Sequence, residues 1–417
     1  MYPRKIFPEL LQQAKTRKIS LLLGARQVGK TTLLKTISQE LSKTHKCLFL
    51  DLDILSNYEN ISTFELLLTT LKLHGYTEDQ KQWFYLFLDE FQKYPKLTII
   101  LKNVYDTLPN VKIYASGSSS LTIKHTVQES LAGRKIIMPI YPLDFEEFLL
   151  FKQNKDLIDN YPALQNLKGD HLAPSLKKYA ALLKEFMLFG GYPEVALQQT
   201  KEDKIRTLDS IFDLYVKKDL VDYLKIDKIL DMKKLIEFLA VNNGQKIKYE
   251  ELSKLASFTL REIKNNLEVL RETFIIEILK PFYTNKNKEI VKIPKIYFLD
   301  TGVRNYFIKN FNELHLRDDS GFLFESFILS ALVKNATGEI KFWQDKNEYE
   351  VDFIIEKDKL TAIEVKYKEA VKSSDFNGLK KFIERYPSTK AAFLINLGSQ
   401  KQMKDIKLLL PYFLPKI

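Results

Sequence analysis

The feature that most constrains this chain is a glycine-containing loop, GARQVGKT, at residues 24–31. It satisfies the pattern G-x-x-x-x-G-K-[ST] directly after the apolar run ISLLL and before the helix-compatible segment TTLLKTISQEL. The two glycines allow backbone amides to turn inward around phosphate oxygens, and the amino end of the following helix adds its dipole. The pattern therefore predicts a strand, a phosphate-binding loop and a helix. The residues expected to contact a bound nucleotide are Gly24, Ala25, Arg26, Gln27, Val28, Gly29, Lys30, Thr31 and Thr32.

The chemistry expected of this loop is that of a nucleoside triphosphate with a magnesium ion. We expect Lys30 to reach the β and γ phosphates, and Thr31 to offer its hydroxyl to Mg²⁺, which bridges the same phosphates. A glycine turn before a helix also arises by chance, but the full pattern in a strand–loop–helix setting is uncommon. ATP and Mg²⁺ are therefore the predicted cofactors.

An acidic pair, Asp89 and Glu90, ends the apolar run YLFL. This is the expected second half of such a site, because the carboxyl end of a buried strand meets the phosphates. We expect Asp89 to hold Mg²⁺ through water and Glu90 to act as general base on the attacking water. An acidic pair after a strand is also common as a helix start, so this interpretation depends on the glycine loop.

Two further segments carry candidate catalytic residues. The run VKIYASGSSS ends in a hydroxyl-rich turn, in which Ser116 or Ser118 is a candidate to orient the attacking water; ordinary turn capping explains both equally well. Downstream, the segment LAGRK carries Arg134. We expect this side chain to supply positive charge to the transition state, in its own subunit or in a neighbouring one.

Apolar periodicity divides the chain into four parts. Strand-length runs alternate with helix-compatible segments, which predicts a parallel sheet covered by helices. These runs are residues 19–23, 47–52, 85–88 and 111–115. Amphipathic stretches follow Pro142, and the GGYP segment at residues 190–193 is interpreted as a turn between helices. The fold class is therefore α/β, with predicted domains at 1–145 (P-loop core), 146–230 (helical lid or linker), 231–300 (winged helix) and 301–417 (small α/β domain).

The winged-helix prediction comes from three helical segments followed by a strand pair. The third helix has a defined start, because Thr259 and Glu262 form a capping box. Arg261, Lys264 and Asn265 lie off its apolar face, where they are candidates for contact with DNA. The predicted apolar face consists of Leu260, Ile263, Leu267, Leu270 and Phe274.

Composition limits the function classes further. The 64 Lys and Arg residues exceed the 53 Asp and Glu residues, and the net charge of +11 favours a polyanionic partner, unless the lysines form a merely solvated surface. The five histidines lack ligand spacing, so no zinc site is predicted, and the single cysteine excludes an intrachain disulfide. Neither a signal-peptide pattern nor an apolar stretch of about 18 residues occurs, so we expect a cytoplasmic protein without membrane insertion.

Several sequence blocks together resemble the prokaryotic AAA-type ATPases that carry a C-terminal domain of unknown function. The blocks, in order, are GARQVGKTT, FLDEFQKYP, ASGSSSL, LAGRKIIMPIYPLDFEEFL, FGGYPEV, KIYFLDTGVRN, FLFESFILSAL, EVDFIIE and AIEVKYK. The resemblance covers nearly the whole chain and implies an additional-strand P-loop core, a winged helix and a nuclease-like C-terminal domain. One departure is Gln344, where family members often have an arginine after the tryptophan.

The last part of the chain carries a constellation that resembles the PD-(D/E)xK nuclease arrangement. Asp352, Glu364 and Lys366 lie on two predicted strands, with Glu325 on the preceding helix. The carboxylates would hold Mg²⁺ against a phosphodiester, and Lys366 would position or activate water. The alternative is an ion-pair cluster at a sheet edge.

These patterns together predict an ATP-binding and ATP-hydrolysing switch that acts on double-stranded DNA. One alternative is an ATP-regulated nuclease in which Asp352, Glu364 and Lys366 cleave DNA. The other is a non-catalytic regulator that binds ATP or DNA within a partner system. A homo-oligomer and a protein partner are both compatible with the sequence.

Overall fold

The computed structural model describes residues 4–79, 81–118, 130–164, 174–215, 228–285, 293–335, 337–412 and 414. The chain divides into two compact units. The first consists of residues 1–141 with 272–274, and the second of residues 142–271 with 275–417.

The first unit is a five-stranded sheet with helices in the connections. Its elements are α1 (Phe7–Gln13), β1 (Ile19–Gly24), α2 (Lys30–Ser42), β2 (Lys46–Asp51), α3 (Leu55–Glu59), α4 (Phe64–Leu73), β3 (Phe84–Asp89), α5 (Leu97–Thr107), β4 (Val111–Ser118) and β5 (Lys135–Ile140). The strand order is β2-β3-β4-β1-β5, and all pairs are parallel. This confirms the predicted α/β fold class with the parallel sheet of a P-loop NTPase.

The central strands β1, β3 and β4 are buried along their whole length. Strands that are covered on both faces need continuous apolar runs, which explains why the sequence predicted them. Strand β5 was not predicted, because it lies at the sheet edge, alternates in exposure and contains Pro139. Proline is tolerated at an edge strand, where its missing N–H removes no ladder hydrogen bond.

The second unit begins with helices, and none of its described residues before β6 forms a strand. These helices are α6 (Phe145–Phe151), α7 (Lys155–Leu164), α8 (Pro174–Phe189), α9 (Pro193–Leu197), α10 (Lys201–Leu214), α11 (Ile229–Val241), α12 (Tyr249–Ala256) and α13 (Leu260–Glu272). An antiparallel strand pair follows, formed by β6 (Ile276–Leu279) and β7 (Lys295–Phe298). Three helices and a hairpin are the element order that we predicted for a winged helix.

Helix α13 begins where its capping box places it. The Thr259 backbone N–H donates to the Glu262 carboxylate at 2.8 Å, and the Glu262 N–H donates to the Thr259 hydroxyl at 3.3 Å. The apolar face is shorter than predicted, since Leu260 is 44% exposed and Phe274 lies beyond the helix end. The three remaining members of that face are buried: Ile263, Leu267 and Leu270.

The last part of the second unit is a six-stranded sheet flanked by helices. Its elements are α14 (Thr301–Phe307), α15 (Ser320–Asn335), β8 (Glu339–Gln344), β9 (Glu350–Glu356), β10 (Leu360–Val365), α16 (Asn377–Arg385), β11 (Thr389–Ile395), β12 (Lys401–Met403) and β13 (Ile406–Leu409). The strand order is β12-β13-β11-β10-β9-β8, in which β8, β9 and β10 are antiparallel neighbours. The strands β12 and β13 are short, at three and four residues.

The hairpin that contains β7 is tied to this sheet through the backbone. The Phe282 N–H donates to the Phe342 carbonyl at 2.6 Å, and the Phe342 N–H donates to the Lys280 carbonyl at 3.1 Å. Phe342 lies on β8, so the chain between β6 and β7 adds to the sheet edge.

Among the helices of the described ranges, none combines the length and apolarity needed to cross a membrane.

Candidate active site

The glycine loop lies between the end of β1 and the start of α2. Gln27 and Gly29 have left-handed backbone conformations, with φ of 57° and 94°, which turn the loop back on itself. A side chain at Gly24 would place its Cβ 2.1 Å from the Ile140 carbonyl oxygen, so the first glycine also allows β5 to lie beside the loop. The local geometry is that of a concave set of backbone amides, which suits an anion.

The ammonium of Lys30 lies inside the loop. Lys30 is the first residue of α2 and is 5% exposed, and its Nζ donates to the carbonyls of Gly24 at 3.1 Å and Ala25 at 2.6 Å. Positive charge and the amino end of a 13-residue helix therefore converge on one hollow. Thr31, the second residue of α2, is partly buried at the same helix end.

Arg4 anchors the loop from outside the motif. Its guanidinium donates to the Val28 carbonyl and to the Tyr141 carbonyl, each at 2.8 Å. Sequence patterns did not point to Arg4, because a hydrogen bond to a backbone carbonyl requires no particular residue type at the acceptor position.

Asp89 lies at the same edge of the sheet as the loop. It is the last residue of β3, and the parallel register places β4 between β3 and β1. Two strand spacings of ~4.8 Å separate β3 from β1 by about 10 Å. The Ser116 hydroxyl donates to the Asp89 carboxylate, and Asp89 is 2% exposed. The structure thus brings together the loop, Asp89 and Ser116, while Ser118 pairs with Gly24 in the ladder.

A magnesium ion fits the donors present at this edge. Thr31 and Asp89 offer a hydroxyl and a carboxylate, the oxygen donors that Mg²⁺ prefers, and a hydrated Mg²⁺ needs few protein ligands. Both residues lie beside the hollow that contains Lys30.

Glu90 leaves the strand in a strained conformation. Its φ of 56° is in the left-handed region, and its carboxylate accepts a hydrogen bond from the Gln92 amide at 2.5 Å. The buried Gln92 Oε1 makes no hydrogen bond within the described residues and lies against Gly117, where a Cβ would be 2.4 Å away. Gln92 was not predicted. The carboxylate proposed as base is therefore held by a neighbour that also touches the end of β4.

Arg134 is not at this site in its own chain. Its carbonyl accepts from the Ile19 N–H at 2.8 Å, and the next residue, Lys135, pairs with Ile19 at the amino end of β1. At ~3.3 Å per residue, the five steps from Ile19 to Gly24 span about 16 Å, which is longer than an arginine side chain. The guanidinium instead pairs with Asp106 at 2.8 and 3.1 Å. The same-subunit alternative for Arg134 is therefore wrong, because the register places Arg134 at the amino ends of the strands. The loop lies at their carboxyl ends.

A second cluster of ionisable groups lies in the six-stranded sheet domain. Asp352 accepts from the Val365 N–H at 2.8 Å, and the Lys366 ammonium lies 2.5 Å from the Glu364 carboxylate. Burial and the charge of Asp352 raise the pKa values of Glu325 and Glu364, and burial also raises that of Asp352. Burial opposes the charge on Lys366, but the surrounding carboxylates raise its pKa. The structure therefore brings together all four residues of the predicted constellation.

The contacts of these carboxylates are ion pairs and hydrogen bonds. Within the described part of the chain, no group of three or more His, Cys, Asp and Glu side chains is placed to hold a metal ion. The second carboxylate oxygen of Glu364 is buried and makes no hydrogen bond among the described residues. Asp352 and Glu364 offer the oxygen donors that Mg²⁺ prefers, and the Mg²⁺ site predicted at these two residues stays a prediction.

Two residues from outside this domain join the cluster. The Tyr297 hydroxyl donates to the Glu325 carboxylate at 2.9 Å, and the Lys295 ammonium pairs with Glu350. Both residues lie on β7. Sequence patterns did not point to Lys295 or Tyr297; the one available signal is that residues two apart on a strand share a face. Nearby, the Lys246 ammonium donates to Gln344, the position at which the sequence departs from the family pattern.

Known families match three segments of the chain. Residues 16–149 match the AAA domain family. Two families described only as domains of unknown function, DUF8612 and DUF4143, match residues 180–314 and 320–413. The first segment is therefore similar to AAA domains, and the other two families bring no function with them.

The curated relatives are uncharacterised proteins. Two from Methanocaldococcus jannaschii are 28% and 27% identical, over 84% and 69% of this chain and over 75% and 62% of their own lengths. Among solved structures, a Walker-type ATPase of Pyrococcus abyssi is 14% identical with a TM-score of 0.47, covering 74% of this chain and 96% of that chain. These similarities carry no activity to this chain, and the fold assignment depends on its own strand order.

Proposed function

We propose that this chain, whose residues 16–149 match the AAA domain family, binds and hydrolyses ATP with Mg²⁺ and uses that cycle to switch its action on DNA. The observation that carries the proposal is the convergence of Lys30, Asp89 and Ser116 on the carboxyl edge of one parallel sheet. This is where a triphosphate meets a helix amino end and an acidic strand end.

Each residue has a distinct proposed role. The loop amides and Lys30 bind the phosphates, and Thr31 with Asp89 would hold the magnesium ion, which offsets charge on the phosphates when bound. Ser116 positions the Asp89 carboxylate. Glu90 takes the proton of the attacking water, and its hydrogen bond to Gln92 sets the direction of the carboxylate.

The test of hydrolysis is the substitution Glu90→Gln. Because it removes the base and keeps the side-chain shape, we expect phosphate release to fall by about 10²-fold or more while ATP stays bound. The exposed Glu59→Gln, in the same unit, is the matched control and should keep the wild-type rate. Negligible turnover in wild type and variant alike would favour the non-catalytic regulator, and a wild-type protein that retains no nucleotide would refute the proposal as a whole.

Double-stranded DNA is the partner that we propose for the switch. Support comes from the net charge of +11 and from α13, whose Arg261, Lys264 and Asn265 are exposed beside a buried apolar face. A helix of a three-helix-and-hairpin unit with exposed basic residues can contact phosphates and enter the major groove. A protein partner at this helix is the outcome if DNA affinity does not depend on these residues.

A second candidate function is nucleolytic cleavage by the C-terminal domain. It is favoured by the convergence of Asp352, Glu364, Lys366 and Glu325 in one buried cluster. Plasmid incubated with Mg²⁺ or Mn²⁺ should be cut by the wild type and left intact by Lys366→Ala. If the wild type also leaves it intact, the candidate has no support.

Arg134 has a proposed role only in a homo-oligomer. Since it lies at the sheet edge opposite the loop, it would have to approach the nucleotide of a neighbouring copy. In that case Arg134→Ala should lower the ATPase rate per subunit, and mixing it with Glu90→Gln subunits should restore part of the rate. An ATPase rate per subunit that does not depend on concentration and is unchanged by Arg134→Ala would remove this role.

The division of the chain into four domains, at residues 1–145, 146–230, 231–300 and 301–417, is also a proposal.

A further inference from the structure

The carboxylate cluster, defined here as Glu325, Glu350, Asp352 and Glu364, is partly neutralised by two lysines. The Lys366 ammonium lies 2.5 Å from Glu364, and the Lys295 ammonium pairs with Glu350. Glu350 and Asp352 are two residues apart on β9 and therefore share a face. Two ammonium groups thus counter the charge of four carboxylates.

Lys295 reaches the cluster from a different segment of the chain. It lies on β7, within the segment that matches one family of unknown function, whereas all four carboxylates lie within the segment that matches another. The Tyr297 hydroxyl on β7 bonds to Glu325 at 2.9 Å, and the chain that follows β6 bonds to Phe342 on β8. The site is therefore a composite of two segments.

Burying the Lys295 ammonium costs free energy unless nearby carboxylates compensate its charge. The side chain is 5% exposed, and burial by itself disfavours a charged ammonium. Glu325, Glu350 and Asp352 outweigh that effect and raise the pKa of Lys295. In turn, removal of Lys295 would leave several buried carboxylates without this counter-charge, which is strongly destabilising. A divalent cation is the other species that supplies concentrated positive charge to such oxygens.

We propose that the Lys295 ammonium acts as an internal counter-ion in the position that a divalent cation would otherwise take, so that Lys295 and the cation compete for the same carboxylates. This accounts for a cluster whose oxygen donors suit a divalent cation while two ammonium groups already pair with Glu350 and Glu364. Metal binding at the cluster then requires β7 to withdraw Lys295, which links the hairpin to the state of the sheet domain. The inference holds whether or not the domain cleaves DNA.

The experiment compares Lys295→Met with wild type by calorimetric titration of Mn²⁺ and by thermal unfolding, both on nucleotide-free protein. Lys295→Met should bind Mn²⁺ at least about tenfold more tightly than wild type. It should also unfold at lower temperature in chelator and recover stability with Mn²⁺ to a greater extent than wild type. The added site should disappear in Lys295→Met combined with Glu364→Gln, which separates it from metal bound at the nucleotide loop.

The matched control is Lys341→Met. Lys341 is also buried and paired with carboxylates, Glu339 at 3.1 Å and Glu356 at 2.5 Å, but these lie outside the cluster. It should lose stability without any gain in Mn²⁺ affinity. Equal Mn²⁺ affinity in wild type and Lys295→Met, or an equal gain in Lys341→Met, would overturn the proposal. If Lys295→Met does not fold in chelator, it should fold when refolded with millimolar Mn²⁺, and failure to do so would also overturn it.

Discussion

At the scale of the residue, Lys112 shows how burial changes a side chain's chemistry. Its Nζ donates to the Lys18 carbonyl and to the hydroxyls of Ser20 and Thr16, at 2.9 and 3.5 Å, and lies 4.9 Å from the centre of the Tyr114 ring. Burial lowers the pKa of Lys112 from 10.5 to about 7. Burying the charged ammonium lowers the free energy of unfolding, so Lys112 stabilises the fold least when it is protonated.

Lys112→Met should therefore change stability in a pH-dependent way. Below pH ~7 the lysine is protonated in both the folded and unfolded states, so its burial cost is complete. As pH rises above ~7 the folded protein loses this proton while the unfolded chain still binds it, so wild-type stability increases. Between about pH 6 and pH 9, the unfolding free energy of the wild type should rise by a few kcal/mol relative to that of Lys112→Met. Urea unfolding at each pH measures this, with the exposed Lys15→Met as control; a pH-independent difference would contradict the prediction.

At the scale of the element, the turn between α8 and α9 requires glycine because of another helix. Gly190 has φ of 78°, and a Cβ there would lie 2.0 Å from the Asp300 carboxylate. That carboxylate accepts from the N–H groups of Gly191 at 2.7 Å and Val303 at 3.0 Å, so it serves the turn and caps α14 together. The GGYP segment thus forms a turn and also contacts the start of α14.

Gly190→Ala should destabilise the second unit by about 3 kcal/mol or more, because the left-handed backbone and the displaced Asp300 both add cost. The matched control is Gly321→Ala on α15, where a Cβ meets nothing within 4 Å. That change should be neutral or stabilising by up to ~1 kcal/mol, since alanine favours a helix. Chemical denaturation followed by circular dichroism compares them, and similar midpoints for the two variants would count against the steric account.

At the scale of the whole molecule, the excess positive charge should appear in the salt dependence of DNA binding. If Arg261 and Lys264 contact phosphates, replacing both by Ala should reduce the slope of log affinity against log salt by about 2. Lys177→Ala with Lys178→Ala removes the same charge from exposed positions on α8 and should leave the slope close to wild type. Fluorescence anisotropy with a DNA duplex at several salt concentrations measures both. Equal slopes in all three proteins would direct attention to a protein partner.

Local patterns were sufficient for the parts of this protein that depend on neighbouring residues. The phosphate loop, the four apolar strands of the first unit and the capped start of α13 could be predicted, because each depends on residue types within a few positions. The edge strand β5 escaped prediction, since its exposure alternates and it contains a proline. The local pattern LAGRK identified Arg134 as a candidate, but it did not indicate at which end of the strands Arg134 lies.

The sequence alone determined that a glycine loop, an acidic strand end and a constellation of carboxylates exist in this chain. Only the tertiary structure decided which of them meet. Strand order places Asp89 and Ser116 beside the loop and Arg134 at the opposite edge, and the docking of β7 inserts Lys295 among carboxylates that follow it by 30 to 70 positions. The physical reason is that sheet register and buried ion pairs join residues distant along the chain, whereas periodicity and capping report only the nearest neighbours.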